Sequence, residues 1–311
     1  MCIKNVVVAG GGVLGSQIAL QSAFCGFNVK IWLRSEGSIE RAKPKLERFK
    51  NIYLATLEEM KTNPLAYCRG FTNKEKLTDE EIDALKEQTV KAYESLVLTN
   101  SYEEACEDAD LVIEAIAENP EQKIAFYKDL ADYLPDKTIL VTNSSTLLPS
   151  MFAEYTGRAE KYLALHFANN IWQNNTAEVM GHAGTEAEYY DKVVKFAEDI
   201  NMVPLKLKKE QPGYILNSML VPFLTAAESL YAEEVADFET IDLTWVLATG
   251  APLGPFRIID VVGLTTAYNI VSMDPRAQDP NSTQAKIAAQ LKARIDEGKT
   301  GINAGEGFYK Y

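Results

Sequence analysis

Only two histidines occur among the 311 residues, so few side chains are suited to proton transfer near neutral pH. His166 ends the apolar run KYLALHF (161–167), whereas His182 follows the weaker segment AEVMG and precedes an Ala-Gly pair. Ligands of α/β sheets bind at the carboxyl ends of strands, which favours His166, while His182 is typical of a turn. Taken alone, a histidine that ends a strand is compatible with a structural role as well as with catalysis.

Three polar side chains are candidates to assist His166. Glu178 carries a carboxylate that would orient the imidazole and stabilise its protonated form. Ser145 lies in the cluster TNSST (142–146), directly after an apolar strand, where its hydroxyl would bond a substrate oxygen or cap a helix. Asn217 lies in the apolar stretch YILNSMLVPFL (214–224) and needs a partner if it is buried. This set favours proton transfer at an alcohol or ketone.

The stretch VVVAGGGVLGSQIA (6–19) predicts a dinucleotide site. Gly10, Gly12 and Gly15 have the spacing G-x-G-x-x-G between a predicted strand and a predicted helix. The first glycine permits the tight turn, the second lets the backbone approach a pyrophosphate, and the third lets helix and strand pack closely. Val13 and Leu14 then belong to the helix N-terminus that receives the pyrophosphate. A glycine turn with a purely structural role is the alternative.

The end of the second predicted strand, VKIWLRSEG (29–37), bears on the choice of cofactor. NAD is usually held by an acidic residue at this point, but the position is Leu33, followed by Arg34 and Ser35. An arginine beside a hydroxyl favours a 2′-phosphate. We therefore predict NADP(H) over NAD(H). In the alternative, Arg34 is solvated and Glu36 turns inward to bind NAD.

Composition restricts the class of protein. The net charge of −13 argues against nucleic acid as a partner, and no apolar run reaches the length of a membrane span. The four cysteines (Cys2, Cys25, Cys68 and Cys106) are scattered, and we expect them to be reduced. Met1 leads almost directly into an apolar strand without a signal peptide, so we expect a cytoplasmic protein. We expect no metal cofactor.

The elements that position these residues alternate between strand and helix. Besides the first two strands, DLVIEAI (110–116), KTILVTN (137–143) and KYLALHF (161–167) are nearly continuous apolar runs typical of buried parallel strands. Beyond residue 210 only helical periodicity remains, at about 213–232, 238–249, 257–272 and 283–297. The prediction is a Rossmann-type doubly wound α/β domain (1–209) followed by an all-helical domain (210–311).

Almost the whole chain resembles the L-3-hydroxyacyl-CoA dehydrogenase family. The motifs that carry the likeness occur in the family's order: VAGGGVLGSQIA, DADLVIEAIAEN with Lys123 after it, TNSST followed by LHFANN, QPGYILNSMLVPFL, and GAPLGPFRIIDVVGL with the terminal GEGFYKY. The resemblance implies interconversion of short-chain 3-hydroxyacyl-CoA and 3-oxoacyl-CoA. It also implies a homodimer formed through the helical domain.

The resemblance assigns roles to individual residues. His166 matches the family's catalytic base and Glu178 its carboxylate partner, while Ser145 and Asn217 match the residues that hold the substrate oxygen. Glu118 and Lys123 match positions that contact the cofactor. We also place Asn143, in the polar cluster TNSST, among the cofactor-binding residues.

Some segments depart from the family pattern. The family has His-x-x-Asn-Pro after the strand, but here Asn170 replaces the proline, and we expect Trp172 in the following loop to reshape the acyl pocket. The stretch RAKPKLERFK (41–50) has five basic residues, which would meet coenzyme A phosphates or form a solvated helix face with internal ion pairs.

These departures keep two other functions open. One is a dehydrogenase of a free small hydroxy compound, such as gulonate, carnitine or a hydroxy acid. The other is a dinucleotide-binding protein without catalytic activity.

Overall fold

Eight strands form one sheet in the computed structural model, which describes residues 3–311, so Cys2 lies outside the described residues. The strands are β1 (Asn5–Ala9), β2 (Asn28–Trp32), β3 (Val97–Thr99), β4 (Leu111–Glu114), β5 (Ile139–Thr142), β6 (Tyr162–Phe167), β7 (Thr176–Met180) and β8 (Val203–Lys206). Their order is β3-β2-β1-β4-β5-β6-β7-β8. Strands β1 to β6 pair in parallel, β7 runs antiparallel to β6, and β8 runs parallel to β7.

The first unit also contains six described helices. They are α1 (Val13–Phe24), α2 (Glu36–Met60), α3 (Asp79–Ser95), α4 (Tyr102–Cys106), α5 (Pro120–Ala131) and α6 (Ala187–Asp199). Every residue of β4, β5 and β6 is buried, as expected for strands covered on both faces. The side chain of Thr78 and that of Glu81 form a capping box at the start of α3.

A second compact unit, Leu216–Tyr311, is helical. Its helices are α7 (Leu216–Ala232), α8 (Phe238–Thr249), α9 (Pro255–Val262), α10 (Leu264–Ser272) and α11 (Thr283–Asp296). A core that includes Phe256, Ile259 and Leu291 holds them together. The predicted fold class, a Rossmann-type doubly wound sheet followed by an all-helical domain, is confirmed. The first unit continues to Ile215, beyond the composition change at 209/210, because Tyr214 and Ile215 bond to residues of that unit.

Two details of the predicted elements are wrong. The helix expected over 257–272 is divided at Gly263, whose φ of +93° lies outside the helical region. Strands β3, β7 and β8 were not predicted. Strand β3 has only three residues, β7 contains the polar residues Thr176 and Glu178, and β8 has no buried residue, so none of them is a continuous buried apolar run. Among residues 3–311, no helix combines the length and apolarity needed to cross a membrane.

Candidate active site

His166 and Glu178 face each other across the antiparallel pair of strands β6 and β7. The register pairs His166 directly with Glu178, so residues distant in sequence become cross-strand neighbours. The imidazole Nδ1 lies 3.0 Å from Glu178 Oε2, and Nε2 lies 3.2 Å from Ser145 Oγ. His166 is 7% exposed and Glu178 is 4% exposed. A carboxylate, an imidazole and a hydroxyl therefore form one chain of polar contacts.

Ser145 owes its position to Glu118, which organises the loop after β5. One oxygen of Glu118 accepts hydrogen bonds from the Ser144 hydroxyl, from the backbone amides of Ser145 and Thr146, and from the Thr146 hydroxyl. Burial raises the pKa of the Glu118 carboxyl, but the Ser144 hydroxyl, the Lys123 charge and the Thr146 bonds outweigh it, so the net pKa is lowered. Glu118 thus stays ionised and fixes the loop that carries Ser145.

Sequence reasoning missed Glu114, the fully buried last residue of β4. Its Oε1 accepts from Lys123 Nζ at 2.6 Å, and its Oε2 accepts from the hydroxyls of Tyr127 and Thr142 at 2.7 Å. Lys123 Nζ also lies 3.5 Å from Glu118, so this lysine bridges two carboxylates. An acid at the end of the apolar run LVIE was the available signal, since a buried charge needs a partner.

Tyr214 and Ile215, also missed, contact the same group of residues. The Tyr214 ring stacks on the His166 imidazole with centroids 4.5 Å apart, and its hydroxyl donates to the Ser144 carbonyl at 2.7 Å. The Ile215 amide donates to Glu178 Oε1 at 2.8 Å. The sequence QPGY indicated a turn at this point but gave no sign of these contacts.

Two neighbouring cavities lie at the carboxyl ends of β1 and β4, where the strand order reverses. The larger, of about 680 Å³, is lined by Gly10–Gly12, by Trp32–Arg34 after β2, and by Ala115–Ala117. The smaller, of about 290 Å³, is lined by Gly12–Gly15, Glu118 and Asn143–Thr146. A reversal of strand order is where doubly wound sheets bind dinucleotides. The first is called the strand-end cavity below, and the second the glycine-loop cavity.

The three glycines fit a bound dinucleotide in different ways. A Cβ on Gly12 would meet nothing within 4 Å, so its backbone borders open space. A Cβ on Gly10 would collide with the Ala115 carbonyl, and one on Gly15 with the Gly10 carbonyl. Gly12 therefore leaves room for a ligand, whereas Gly10 and Gly15 permit the turn and the helix packing that build the loop. Trp32 Nε1 is also buried without a partner at the strand-end cavity.

Cations line the strand-end cavity where NAD-binding proteins usually have an acid. Arg34, Arg41 and Lys45 line it together with Ser38, and Lys45 Nζ donates to the Gly11 carbonyl at 3.2 Å. Ser35 does not line this cavity, but its hydroxyl lies 3.1 Å from that of Ser38. Glu36 is exposed and is not among the lining residues.

The other predicted site residues are placed as follows. Val13, Leu14 and Asn143 line the glycine-loop cavity, and the Asn143 side chain accepts the Phe167 amide at 3.0 Å. Asn217 is the second residue of α7, in the helical unit. Lys123 is 1% exposed and lines neither cavity, so the structure brings it to Glu114 and Glu118. Within residues 3–311, no group of three or more His, Cys, Asp or Glu side chains could hold a metal ion.

The position of Trp172, in the loop after His166, differs from the one expected. Trp172 is buried against Phe49 and Tyr53 of α2, so it fills the core and does not shape an acyl pocket. Asn170 has a φ of +57°, and its amide donates to Gln17 Oε1 at 2.8 Å. Proline can adopt neither feature, since its φ is fixed near −65° and it has no N–H.

A glycine loop at a strand-order reversal, beside a histidine held by a carboxylate and a serine, defines a dinucleotide-dependent oxidoreductase. The sequence matches "3-hydroxyacyl-CoA dehydrogenase, NAD binding domain" over residues 5–211 and the C-terminal domain of the same family over residues 213–311. The chain belongs to the 3-hydroxyacyl-CoA dehydrogenase family, which confirms the resemblance seen in its motifs.

Named relatives and a solved structure cover almost the full chain. Mitochondrial hydroxyacyl-coenzyme A dehydrogenase of Rattus norvegicus is 30% identical over 99% of this chain and 91% of its own length. The 3-hydroxybutyryl-CoA dehydrogenase of Clostridioides difficile is 29% identical over 99% of both chains. The solved structure of a diketoreductase, described as acting on dicarbonyl compounds, is 46% identical with a TM-score of 0.86 over 100% of both chains.

Proposed function

We propose that the protein interconverts short-chain (S)-3-hydroxyacyl-CoA and 3-oxoacyl-CoA. The observation that carries the proposal is the Glu178–His166–Ser145 chain of contacts beside the glycine-loop cavity, which Ser145 itself lines. The substrates named for the curated relatives support the acyl-CoA class. Membership of the 3-hydroxyacyl-CoA dehydrogenase family disfavours the alternative of a dinucleotide-binding protein without catalytic activity.

In this mechanism His166 is the general base. In the oxidative direction its Nε2 accepts the proton of the substrate hydroxyl, while the C3–H bond breaks and the carbonyl forms. The Nδ1–H points to Glu178, whose negative charge stabilises the imidazolium. Ser145 and Asn217 hold the substrate oxygen, which contributes about 2–4 kcal/mol per donor if they act as oxyanion donors. A bound nicotinamide cofactor supplies the hydride acceptor or donor.

We propose NADP(H) as the preferred cofactor, held by Gly10, Gly12, Gly15 and the cations of the strand-end cavity. Arg34, Arg41 and Lys45 line that cavity and Leu33 replaces the usual acid after β2, so three cations face one carboxylate, Asp129, and favour a 2′-phosphate. The test compares NADPH with NADH in wild type and in Arg34→Asp. We expect wild type to favour NADPH and the variant to lose that preference. Equal or better turnover of wild type with NADH contradicts the proposal.

A second candidate substrate is a free dicarbonyl compound. The diketoreductase is more similar to this chain than the curated relatives above, at 46% against about 30% identity. The deciding assay measures kcat/KM for acetoacetyl-CoA and for a free dicarbonyl compound with the same enzyme. A clear excess for the thioester supports the acyl-CoA proposal. An excess for the free compound replaces it with the second candidate.

Charge reversal on the basic face of residues 41–50 tests whether coenzyme A binds there. Lys43 pairs with Glu40 at 2.7 Å and Lys50 with Glu47 at 3.7 Å, as expected for a solvated face. Lys45 lines the strand-end cavity, so reversing its charge would also disturb the cofactor. Lys43→Glu with Arg48→Glu is the cleaner variant. A higher KM for acetoacetyl-CoA at an unchanged KM for NADPH would assign this face to coenzyme A.

We further propose a cytoplasmic homodimer formed through the helical domain. Leu243 and Leu247 lie one turn apart on α8 and are 57% and 75% exposed, and Met219 of α7 is 63% exposed. Exposed apolar side chains of this size favour association. Leu243→Lys with Leu247→Lys is expected to give a monomer by light scattering, and an unchanged mass would argue against this interface. Fluorescence of a tagged chain in cells tests the location.

A further inference from the structure

Tyr214 has a backbone conformation that disfavours its own residue type. Its φ is +56°, directly after Gly213 at +77°. A left-handed conformation costs a residue with a Cβ about 1–2 kcal/mol, and glycine avoids most of that cost. Such strain persists only where surrounding contacts fix it, and it often marks a functional position. The side chain of Tyr214 is therefore the part to explain.

That side chain contacts both arms of the site at once. Its ring lies nearly parallel to the His166 imidazole, with an interplanar angle of 12°. Its hydroxyl bonds the carbonyl of Ser144, the residue before Ser145. Burial raises the pKa of the Tyr214 phenol, and the charges of Glu118 and Glu178 raise it further, so the hydroxyl stays protonated and donates.

The next residue extends the contact to the third member of the site. Ile215 donates its amide to Glu178 Oε1, while Glu178 Oε2 faces His166. The imidazole is thus fixed at its edge by Glu178 and on its face by Tyr214. The segment Gly213–Ile215 holds these two supports in one stretch of backbone.

We infer that Tyr214 is a positioning residue that fixes the plane of the His166 imidazole and its distance to Ser145. This inference rests on the proposed role of His166 as the base. A displacement of a reacting group by about 1 Å can cost about 100-fold in rate. The ring performs the positioning, and the hydroxyl ties the ring to the Ser145 loop.

Three variants separate the ring from the hydroxyl and from the backbone. Tyr214→Phe keeps the stacked ring, Tyr214→Leu keeps apolar volume without a planar ring, and Tyr214→Gly removes the ring while relieving the left-handed strain. We expect kcat within about threefold of wild type for the phenylalanine variant and about 100-fold lower for the other two. The KM for the cofactor should not change, because Tyr214 lines neither cavity.

Tyr53→Leu is the control matched to Tyr214→Leu. Tyr53 is also fully buried and donates its hydroxyl to Gln21, but it packs in the core against Phe24 and Trp172. The Tyr53→Leu variant should lose stability without a specific loss of kcat. Equal kcat losses for Tyr53→Leu and Tyr214→Leu would mean that general destabilisation, and not positioning, explains the result.

A spectroscopic measurement tests the positioning without relying on turnover. With two histidines, ¹³C- and ¹⁵N-labelled His gives two ring systems, and His166→Gln assigns them. A stacked aromatic ring shields the His166 ring protons, so Tyr214→Gly and Tyr214→Leu should shift them downfield, while Tyr214→Phe and the His182 signals should not. Unshifted signals, or a shifted signal with wild-type kcat in the glycine variant, overturn the inference. A wild type inactive on every substrate, but with the expected shifts, would refute the proposed function alone.

Discussion

Replacing Glu178 by glutamine tests the tautomer on which the mechanism depends. The two carboxylate oxygens accept from different donors, the His166 Nδ1–H at 3.0 Å and the Ile215 amide at 2.8 Å. A carboxamide has one oxygen and one NH₂ group, so it can satisfy only one of these donors. If the NH₂ faces Ile215, two buried donors meet, which costs about 1–3 kcal/mol.

The lower-energy choice is to turn the NH₂ towards Nδ1. The imidazole must then carry its proton on Nε2, and that nitrogen can no longer accept the substrate proton. The donor conflict disfavours the active tautomer by about tenfold to a hundredfold. Loss of the charge opposite the imidazolium lowers kcat further, to a total of about 10³- to 10⁴-fold, the size of effect seen when a comparable catalytic carboxylate becomes an amide.

The assay is steady-state kcat and KM with the thioester and the reduced cofactor, together with ¹⁵N shifts of the His166 ring. The cofactor KM should stay near wild type, and the protonated ring nitrogen should change from Nδ1 to Nε2. Glu188→Gln is the control, since it removes an exposed carboxylate that pairs with Lys192. Turnover within about threefold of wild type, with the proton still on Nδ1, would refute this account of the dyad.

Four further substitutions have separate expected outcomes. Gly12→Ala should keep the melting temperature but weaken cofactor binding in a titration, because its Cβ would enter the open space that the cofactor uses. Gly15→Ala should lower the melting temperature, because its Cβ would collide with the Gly10 carbonyl. Ser145→Ala should lower kcat by about 10²- to 10³-fold while His166 stays folded in place, as judged by its ring signals. Burial raises the pKa of Glu228 to about 7, so the free energy of unfolding of the wild type should fall as the pH rises from about 4.5 to 7. Glu228→Gln should therefore unfold at a higher urea concentration than the wild type at pH 8 but not at pH 4. The difference in free energy of unfolding at pH 8 should be up to about 3 kcal/mol.

Patterns local in sequence predicted much of this molecule. The glycine spacing, the buried apolar strands and the helical periodicity each depend on nearby residues, and the fold class followed from them. The proximity of His166 to Glu178 was inferred from chemistry and family resemblance, but its cause is the antiparallel register of β6 and β7, which the sequence does not display.

Contacts made by residues of ordinary type were not predictable. Tyr214 and Ile215 lie in a stretch whose composition indicates a turn and a helix, and their partners are distant in sequence. Trp172 was expected near the substrate because it follows His166, yet its apolar surface is buried against α2. Arg41 and Lys45 looked like one basic helix face with Lys43, and only the helix geometry separates them.

The left-handed Asn170 limits how this enzyme can be engineered. Consensus substitutions commonly stabilise proteins, and the family pattern would recommend proline here. In this chain Asn170→Pro is incompatible with the φ of +57° and removes the hydrogen bond to Gln17, so a substitution that usually stabilises would destabilise the protein. Ancestral or consensus redesign of this protein should therefore leave both Asn170 and Gln17 in place.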